Sequence, residues 1–370
     1  MNINMSDYLN NHVLIVAGGT GGHIFPGLAL AKELKRTGLR LSWLGTSRGL
    51  EKKIVAEENI PLFISNFKGV RGKGFLSSIL MPWHLFFSIL NSFILVRKIK
   101  PDCIACFGGY VSVPVGITSA LLRIPIFIHE QNAIMGSANR LLAKLAKSVF
   151  LSFENTKHAP INGKFVGNLV RSSFTSVDKP EKRWFRRSGP FRILVLGGSL
   201  GAKILNTKVP KILAKANNLH NIDFDIFHQC GEKDVHLVEG IYKTYHLKST
   251  VIGFVDDILE KYCWADLVIC RSGAGTVSEI ASVGIGSILI PLANSIDNHQ
   301  FLNAGLLLEE KAALVVEEKN IFDGSILSFF KNIDRPTLLE YARKAQKCCK
   351  PNSASLIAKE IIKVIENLEK

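Results

Sequence analysis

A chain of 370 residues is too long for one ordinary core and is expected to form two domains of roughly 150–200 residues. Its 47% hydrophobic content, without low-complexity tracts or polar tails, excludes a disordered or fibrous protein. The 46 Lys+Arg against 31 Asp+Glu give a formal charge of +15, which attracts nucleic acid, acidic headgroups and phosphorylated metabolites alike and does not choose among them.

In chain order, MNINMSDYLNNH lacks the basic start and apolar centre of a signal peptide. The first predicted strand is VLIVA (13–17). It runs into AGGTGGHIFPG and then a helix, GLALAKELKRTG, closed by Gly38 as a helix C-cap would be. Further strands are LSWLG (41–45), CIACF (103–107), IFIHE (126–130) and SVFLS (148–152). Between them, 75–96 contains no Asp, Glu, Lys or Arg. Pro82, His84, Asn91 and its serines argue against a spanning helix and for a partly buried helix with an exposed apolar side. The seven Cys are odd in number and scattered through apolar segments, which predicts reduced thiols in a cytoplasmic protein. Cys103 and Cys106 form a lone C-x-x-C and read as buried strand thiols rather than a metal or redox pair.

The second half starts over. FRILVLGGSLGAKILN (191–206) echoes HVLIVAGGTGGHIFPG, and strands follow at FDIFHQ, TVIGF, DLVIC and GSILIPL. Strand–helix repetition of this kind predicts parallel sheets with helices on both faces, here as two Rossmann-like domains facing one another. The expected division is 1–168, 169–350 and a terminal helix over 351–370. That helix places Leu356, Ile357, Ile361, Val364, Ile365 and Leu368 on one face and is expected to pack back on the first domain.

Neither common nucleotide motif fits the first glycine loop. A dinucleotide fingerprint from Gly19 would need its third glycine at Ile24 and an acid at the tip of the second strand, which ends LGTSRG. A P-loop would need Lys where His23 stands. What survives is physical. Glycines permit close backbone approach, and the following helix N-terminus offers free N–H groups to phosphate or developing negative charge. In ADLVICRSGAGTVSEIASVG (265–284), the turn at Arg271, Ser272 and Gly273 can hold a diphosphate. Glu279 can accept from a ribose diol, or simply match the helix dipole. His23 lies at a strand's carboxyl edge, where an imidazole suits proton removal from a hydroxyl; satisfying local backbone groups is the alternative. Glu130 and Asn132, just past a strand, are candidates for base, sugar contact or loop structure.

Nine segments, GGTGGHIFPG, LGT (44–46), GVRGKG (69–74), FGGYVSVP (107–114), HEQNAIMG (129–136), VGNLVR (166–171), GGSLGA (197–202), CRSGAGTVSE (270–279) and DNHQFLNA (297–304), occur in one order that resembles the MurG glycosyltransferase family. The resemblance implies a GT-B fold with an interdomain cleft. It implies inverting transfer of N-acetylglucosamine from UDP-N-acetylglucosamine to the C4 hydroxyl of undecaprenyl-pyrophosphoryl-MurNAc-pentapeptide, in peptidoglycan synthesis. Carried across, Thr20, Gly21 and Gly22 approach the donor sugar and diphosphate, and Asn132 contacts the sugar. Arg171 and Ser199 hold phosphate, and Val255 meets the uracil. Ala274, Gly275, Thr276, Val277, Ser278 and Glu279 bind diphosphate and ribose, and Gln300 binds sugar hydroxyls. His23 and Glu130 are the candidates for general base and its support. The chain departs from the family pattern at Leu169, Leu200, Gly275 and His299. Of these, Leu200 costs a possible hydrogen bond near the diphosphate and Gly275 loosens its loop.

No cofactor is expected, and no D-x-D cluster is placed to hold a metal. Phe75, Ile79, Leu80, Trp83 and Phe87, beside Lys68, Arg71, Lys73 and Arg140, predict an amphipathic patch for an anionic membrane surface. The enzyme is thus expected to be peripheral on the cytoplasmic face of the bacterial inner membrane, where other cell-wall synthesis proteins are potential partners. The rivals are a UDP-sugar 2-epimerase on the same fold and a non-catalytic membrane-attached nucleotide-sugar sensor. Nucleic acid is not an expected partner, because the basic residues are dispersed and not interleaved with aromatics.

Overall fold

The computed structural model describes residues 11–46, 51–65, 81–184, 186–198 and 201–368. The chain divides into two bodies, one of residues up to Arg171 together with 350–370, the other Ser172–Cys349.

In the first body, β1 (His12–Val16), β2 (Arg40–Thr46), β3 (Leu62–Ser65), β4 (Cys103–Cys106), β5 (Ile126–Glu130), β6 (Ser148–Leu151) and β7 (Lys164–Phe165) form one parallel sheet, ordered β3-β2-β1-β4-β5-β6-β7. Its inner strands are buried throughout and mostly apolar because both faces are covered; the polar exceptions are His12 at the start of β1 and His129 and Glu130 at the end of β5. Side-chain parity assigns the faces. Val13, Ile15, Ala17, Cys103, Ala105 and Phe127 join Leu30 and Leu34 of α1 (Gly21–Arg36) on one side. On the other side, Leu14, Val16, Ile104, Cys106, Ile126 and Ile128 meet α3 (Met81–Ile99), α4 (Ser112–Leu121) and α5 (Ser137–Ala143). Helix α2 spans Glu51–Glu57. Cys103 and Cys106 therefore point to opposite faces of β4. Burial pushes both thiols up, Cys106 to about 12.

The second body opens with helical turns at Ser172–Thr175 and Pro180–Arg183. Strands β8 (Phe191–Leu196), β9 (Phe224–Gln229), β10 (Ser249–Ile252), β11 (Leu267–Cys270), β12 (Gly286–Leu289) and β13 (Ala313–Val315) follow, in the parallel order β10-β9-β8-β11-β12-β13. Between and after them lie α6 (Lys203–His220), α7 (Val235–Thr244), α8 (Ile258–Trp264), α9 (Ala274–Val283), α10 (His299–Glu309), α11 (Ser325–Lys331) and α12 (Arg335–Lys347). The base of this body is tied by Asp266, which is fully buried. Its carboxylate accepts from Arg187 Nη1 at 2.7 Å and from the Arg192 backbone N–H at 2.9 Å, and it lies 3.5 Å from Arg335 Nη2.

The final helix, α13 (Ser353–Leu368), belongs to the first body and packs on α1. Its buried face is Ile357, Ala358, Ile361, Ile362 and Ile365, with Val364 partly covered. Leu356, expected on that face, is exposed on the opposite side of the helix. Leu368 is exposed at the helix end.

The two Rossmann-like sheets expected from the sequence are both present. In each, strand order reverses beside the first strand, between β1 and β4 and between β8 and β11. The loops leaving the carboxyl ends of those strands occupy the position where open α/β sheets bind ligands.

Candidate functional site

In the first body, β1 ends in a loop whose Gly19 has φ +90, open to glycine and strained for other residues. Exposed Thr20 is the N-cap of α1. The first turn of α1, which includes Gly21 and Gly22, carries no acidic residue. The loop is held from below by Glu51, whose fully buried Oε1 accepts from Thr46 N at 2.6 Å, Thr46 Oγ1 at 2.7 Å and, more weakly, Gly19 N at 3.4 Å. Arg171 stacks its guanidinium 5.6 Å from the centre of the Phe25 ring, and that ring touches the Cα side of Gly21. The cation and the open helix end thus share a neighbour.

His23, in the first turn of α1, lies against the glycine pair after β4. A Cβ at Gly108 would come within 3.3 Å of His23 Cε1, so the missing side chain makes room for the ring. His23 Nδ1 is 3.2 Å from Gln131 Oε1.

Glu130 is turned elsewhere. Its Oε1 accepts from Asn132 N and Nδ2 at 3.0 and 3.1 Å, and its Oε2 from Gly136 N and Asn139 Nδ2 at 3.0 and 2.8 Å. Strand parity explains the difference. His129 and Gln131 continue the face of Phe127, on which α1 packs, whereas Glu130 continues the face of Ile126 and Ile128, on which α5 packs. Glu130 therefore shapes the 130–139 loop, and the bond to His23 comes from Gln131. The Asn132 amide nitrogen faces Glu130 rather than open space.

In the second body, Gly201 has φ +78, and a Cβ there would collide with Cys230 O, so only glycine lets this loop close on the neighbouring one. Ser199 and Leu200 fall outside the described residues. Gln229, at the end of β9, is buried and donates from one NH2 group to Gly198 O at 2.9 Å and Gly253 O at 2.8 Å. It thereby braces the loop after β8 against the loop that carries exposed Phe254 and half-buried Val255.

Helix α9 starts at Gly273 with no side-chain cap and no acid in its first turn, which contains Ala274, Gly275 and Thr276. A Cβ at Gly275 would meet nothing within 4 Å, so this helical turn, expected as a loop, tolerates a larger residue. Val277 and Ser278 are buried, and Ser278 Oγ bonds back to Ala274 O at 2.8 Å. Glu279 stands in the second turn, beyond the reach of a first-turn dipole effect, and accepts from the buried Tyr262 hydroxyl at 3.3 Å. Gln300, in α10, accepts from Leu292 N through Oε1 at 3.0 Å, and its backbone carbonyl accepts from Ser272 Oγ at 2.8 Å. Of the remaining departures, Leu169 is seated in the first core, and His299 Nδ1 lies 2.8 Å from Ile296 O within its own loop. Among the described residues, no three His, Cys, Asp or Glu gather into a metal-ligand set.

Of the membrane candidates, Lys68, Arg71, Lys73, Phe75, Ile79 and Leu80 fall outside the described residues. Trp83 and Phe87 are 64% and 58% exposed on α3, and Arg140 lies in α5. Phe86, Leu90 and Ile94 extend the exposed row at helical spacing, and sequence reading stopped short of them. Among the described residues, no helix is long and apolar enough to cross a membrane. Sequence reading also passed over Gln131, Gln229 and Glu51. The alternation of strand side chains was the signal for Gln131; the other two depend on loops brought together only by folding.

Residues 13–151 match the glycosyltransferase family 28 N-terminal domain, and 192–361 its C-terminal domain. The chain is 40% identical to a UDP-N-acetylglucosamine–N-acetylmuramyl-(pentapeptide) pyrophosphoryl-undecaprenol N-acetylglucosamine transferase of Coxiella burnetii, over 94% of this chain and 97% of that one. It is 38% identical to the transferase of the same name from Marinobacter nauticus, over 95% and 97%. Among solved structures it resembles Acinetobacter baumannii MurG, with a TM-score of 0.82 and 34% identity, covering 95% of this chain and 99% of that one.

Proposed function

The chain belongs to the MurG family of glycosyltransferases, and we propose that it transfers N-acetylglucosamine from UDP-N-acetylglucosamine to undecaprenyl-pyrophosphoryl-MurNAc-pentapeptide. The observation that carries this reading is a match running through both bodies. The two-domain fold alone would suit the epimerase and sensor readings as well; it is the sequence match along both bodies that favours transfer.

In this mechanism the muramyl C4 oxygen bonds to the anomeric carbon as the bond from that carbon to the diphosphate oxygen breaks. The configuration inverts and UDP departs with the bonding pair. His23 Nε2 takes the hydroxyl proton. The negative charge growing on the diphosphate is met by helix N-terminal amides at the glycine loops, with Ser199 holding phosphate and Arg171 supplying a cation. Ala274 to Ser278 hold the diphosphate and Glu279, aimed by Tyr262, the ribose diol. Val255 meets the uracil. Gln300, its amide oxygen already engaged, offers NH2 to a sugar hydroxyl, and Asn132 and the Thr20–Gly22 turn approach the sugar. Glu130 acts through the loop it ties.

Incubation with labelled UDP-N-acetylglucosamine and the lipid-linked acceptor tests the proposal. Equal amounts of glycosylated lipid and UDP are expected. An epimerised nucleotide sugar, or binding without UDP release, overturns it.

Gln229→Leu is expected to raise the KM for UDP-N-acetylglucosamine about tenfold, because two carbonyls lose their shared donor and the loops they belong to separate. The acceptor KM is the control measurement.

The exposed row on α3, with Arg97 and Lys98 in its last turn, supports peripheral attachment to an anionic membrane from the cytoplasmic side, where a lipid-anchored acceptor is reached. Phe87→Glu is expected to weaken binding to anionic vesicles about tenfold, and raised salt to release the parent protein. Co-sedimentation measures both effects. Binding that the variant does not change would remove α3 from the surface.

A further inference from the structure

We propose that Gln131 is a positioning residue that fixes the tautomer and rotation of His23, holding the ring proton at Nδ1 and leaving Nε2 to receive the acceptor's proton. The inference rests on the reading of His23 as the base and names what makes it one.

The direction of each hydrogen bond follows from chemistry. The Gln131 side-chain nitrogen is 3.0 Å from the backbone carbonyl of His129, which can only accept, so the NH2 end of the amide must face it. The same nitrogen is 3.1 Å from His129 Nδ1, which therefore presents its lone pair. His129 then carries its proton on Nε2, where Gly167 O lies at 3.3 Å and Ser152 Oγ at 3.2 Å. Ser152 is committed as well, since its hydroxyl donates to Glu130 O at 2.8 Å.

With the amide nitrogen engaged, Gln131 Oε1 is the end that meets His23 Nδ1, and a carbonyl oxygen requires N–H there. The neutral imidazole must then be unprotonated at Nε2. Gln131 is almost fully buried, so rotating its amide would set oxygen against the His129 carbonyl with no water to relieve it.

The charged neighbours do not compete for this role. Burial holds His129 well below the ordinary imidazole range, at about 4, so it stays neutral as an acceptor. Glu130 spends both oxygens on Asn132, Gly136 and Asn139. Helix α1 brings no acid in its first turn, and Arg171 is stacked on Phe25. A neutral amide in place of a carboxylate orients the ring while stabilising the imidazolium less, so the proton taken up is more readily released.

Two measurements test this. In protein labelled with 15N-histidine, the neutral His23 ring, identified by its loss in His23→Ala, is expected to carry its proton on Nδ1. A ring protonated on Nε2 overturns the proposal whether or not the protein transfers sugar. In steady-state assays Gln131→Glu is expected to move the acid limb of kcat/KM upward by ~1 pH unit or more, because a carboxylate favours the charged ring. Gln131→Met is expected to lower kcat by ~10–100-fold with the donor KM nearly unchanged. A Gln131→Glu profile that superimposes on the parent's, or a Gln131→Met loss that only tracks the folded fraction, overturns it. If the parent itself transfers nothing, the functional reading fails and the tautomer measurement still decides the role of Gln131.

Discussion

His23→Ala is expected to lower kcat by ~10²–10⁴-fold, the range for loss of a positioned general base, while the KM for UDP-N-acetylglucosamine stays within about twofold. The asymmetry follows from placement. His23 lies between the glycine pair after β4 and Gln131, in the first body, and the groups assigned to uracil and ribose belong to the second. Residual transfer is expected because amides and Arg171 still stabilise the leaving diphosphate in the variant. Initial rates at saturating acceptor, together with UDP titration of the same preparations, separate the two quantities. Unchanged kcat would remove His23 from the mechanism.

The largest effect on stability is expected at Asp266. Replacing it by alanine strands the nearly buried Arg187 guanidinium and leaves the Arg192 amide without its acceptor. Losing one partner of a buried ion pair costs about 3–5 kcal/mol, a large share of a domain's stability. Asp266→Asn keeps an oxygen for the amide and should cost less. Thermal unfolding is expected to show an early transition in the second body, and saturating UDP should move that transition upward. A variant that unfolds with the parent would make the pair dispensable.

Much of the sheet architecture was legible in the sequence because parallel strands buried on both faces are written as short apolar runs, and VLIVA, CIACF and DLVIC are of that kind. The glycine turns were legible for a related reason, since positive φ at Gly19 and Gly201 leaves few other residues possible. What escaped were choices between adjacent residues. IHEQN presents an acid and two amides in succession. Only the side of β5 on which α1 packs decides that Gln131 meets His23 and that Glu130 turns to Asn139. Gln229 was invisible because its partners, Gly198 and Gly253, lie far from it and from each other in sequence. The α13 face was read too broadly, since periodicity gave a stripe and only α1 determined how much of it was covered.

The first core contains Leu30 and Leu34 from the start of the chain and Ile357, Ile361 and Ile365 from its end, and Ser353 Oγ closes the seam on Val166 O at 2.8 Å. On the ribosome, the body that emerges first is therefore the last to be finished. It must wait, with an apolar flank uncovered, while the intervening body is made and folds. A stop codon just before Ser353 would leave the later-made body intact and cripple the earlier one.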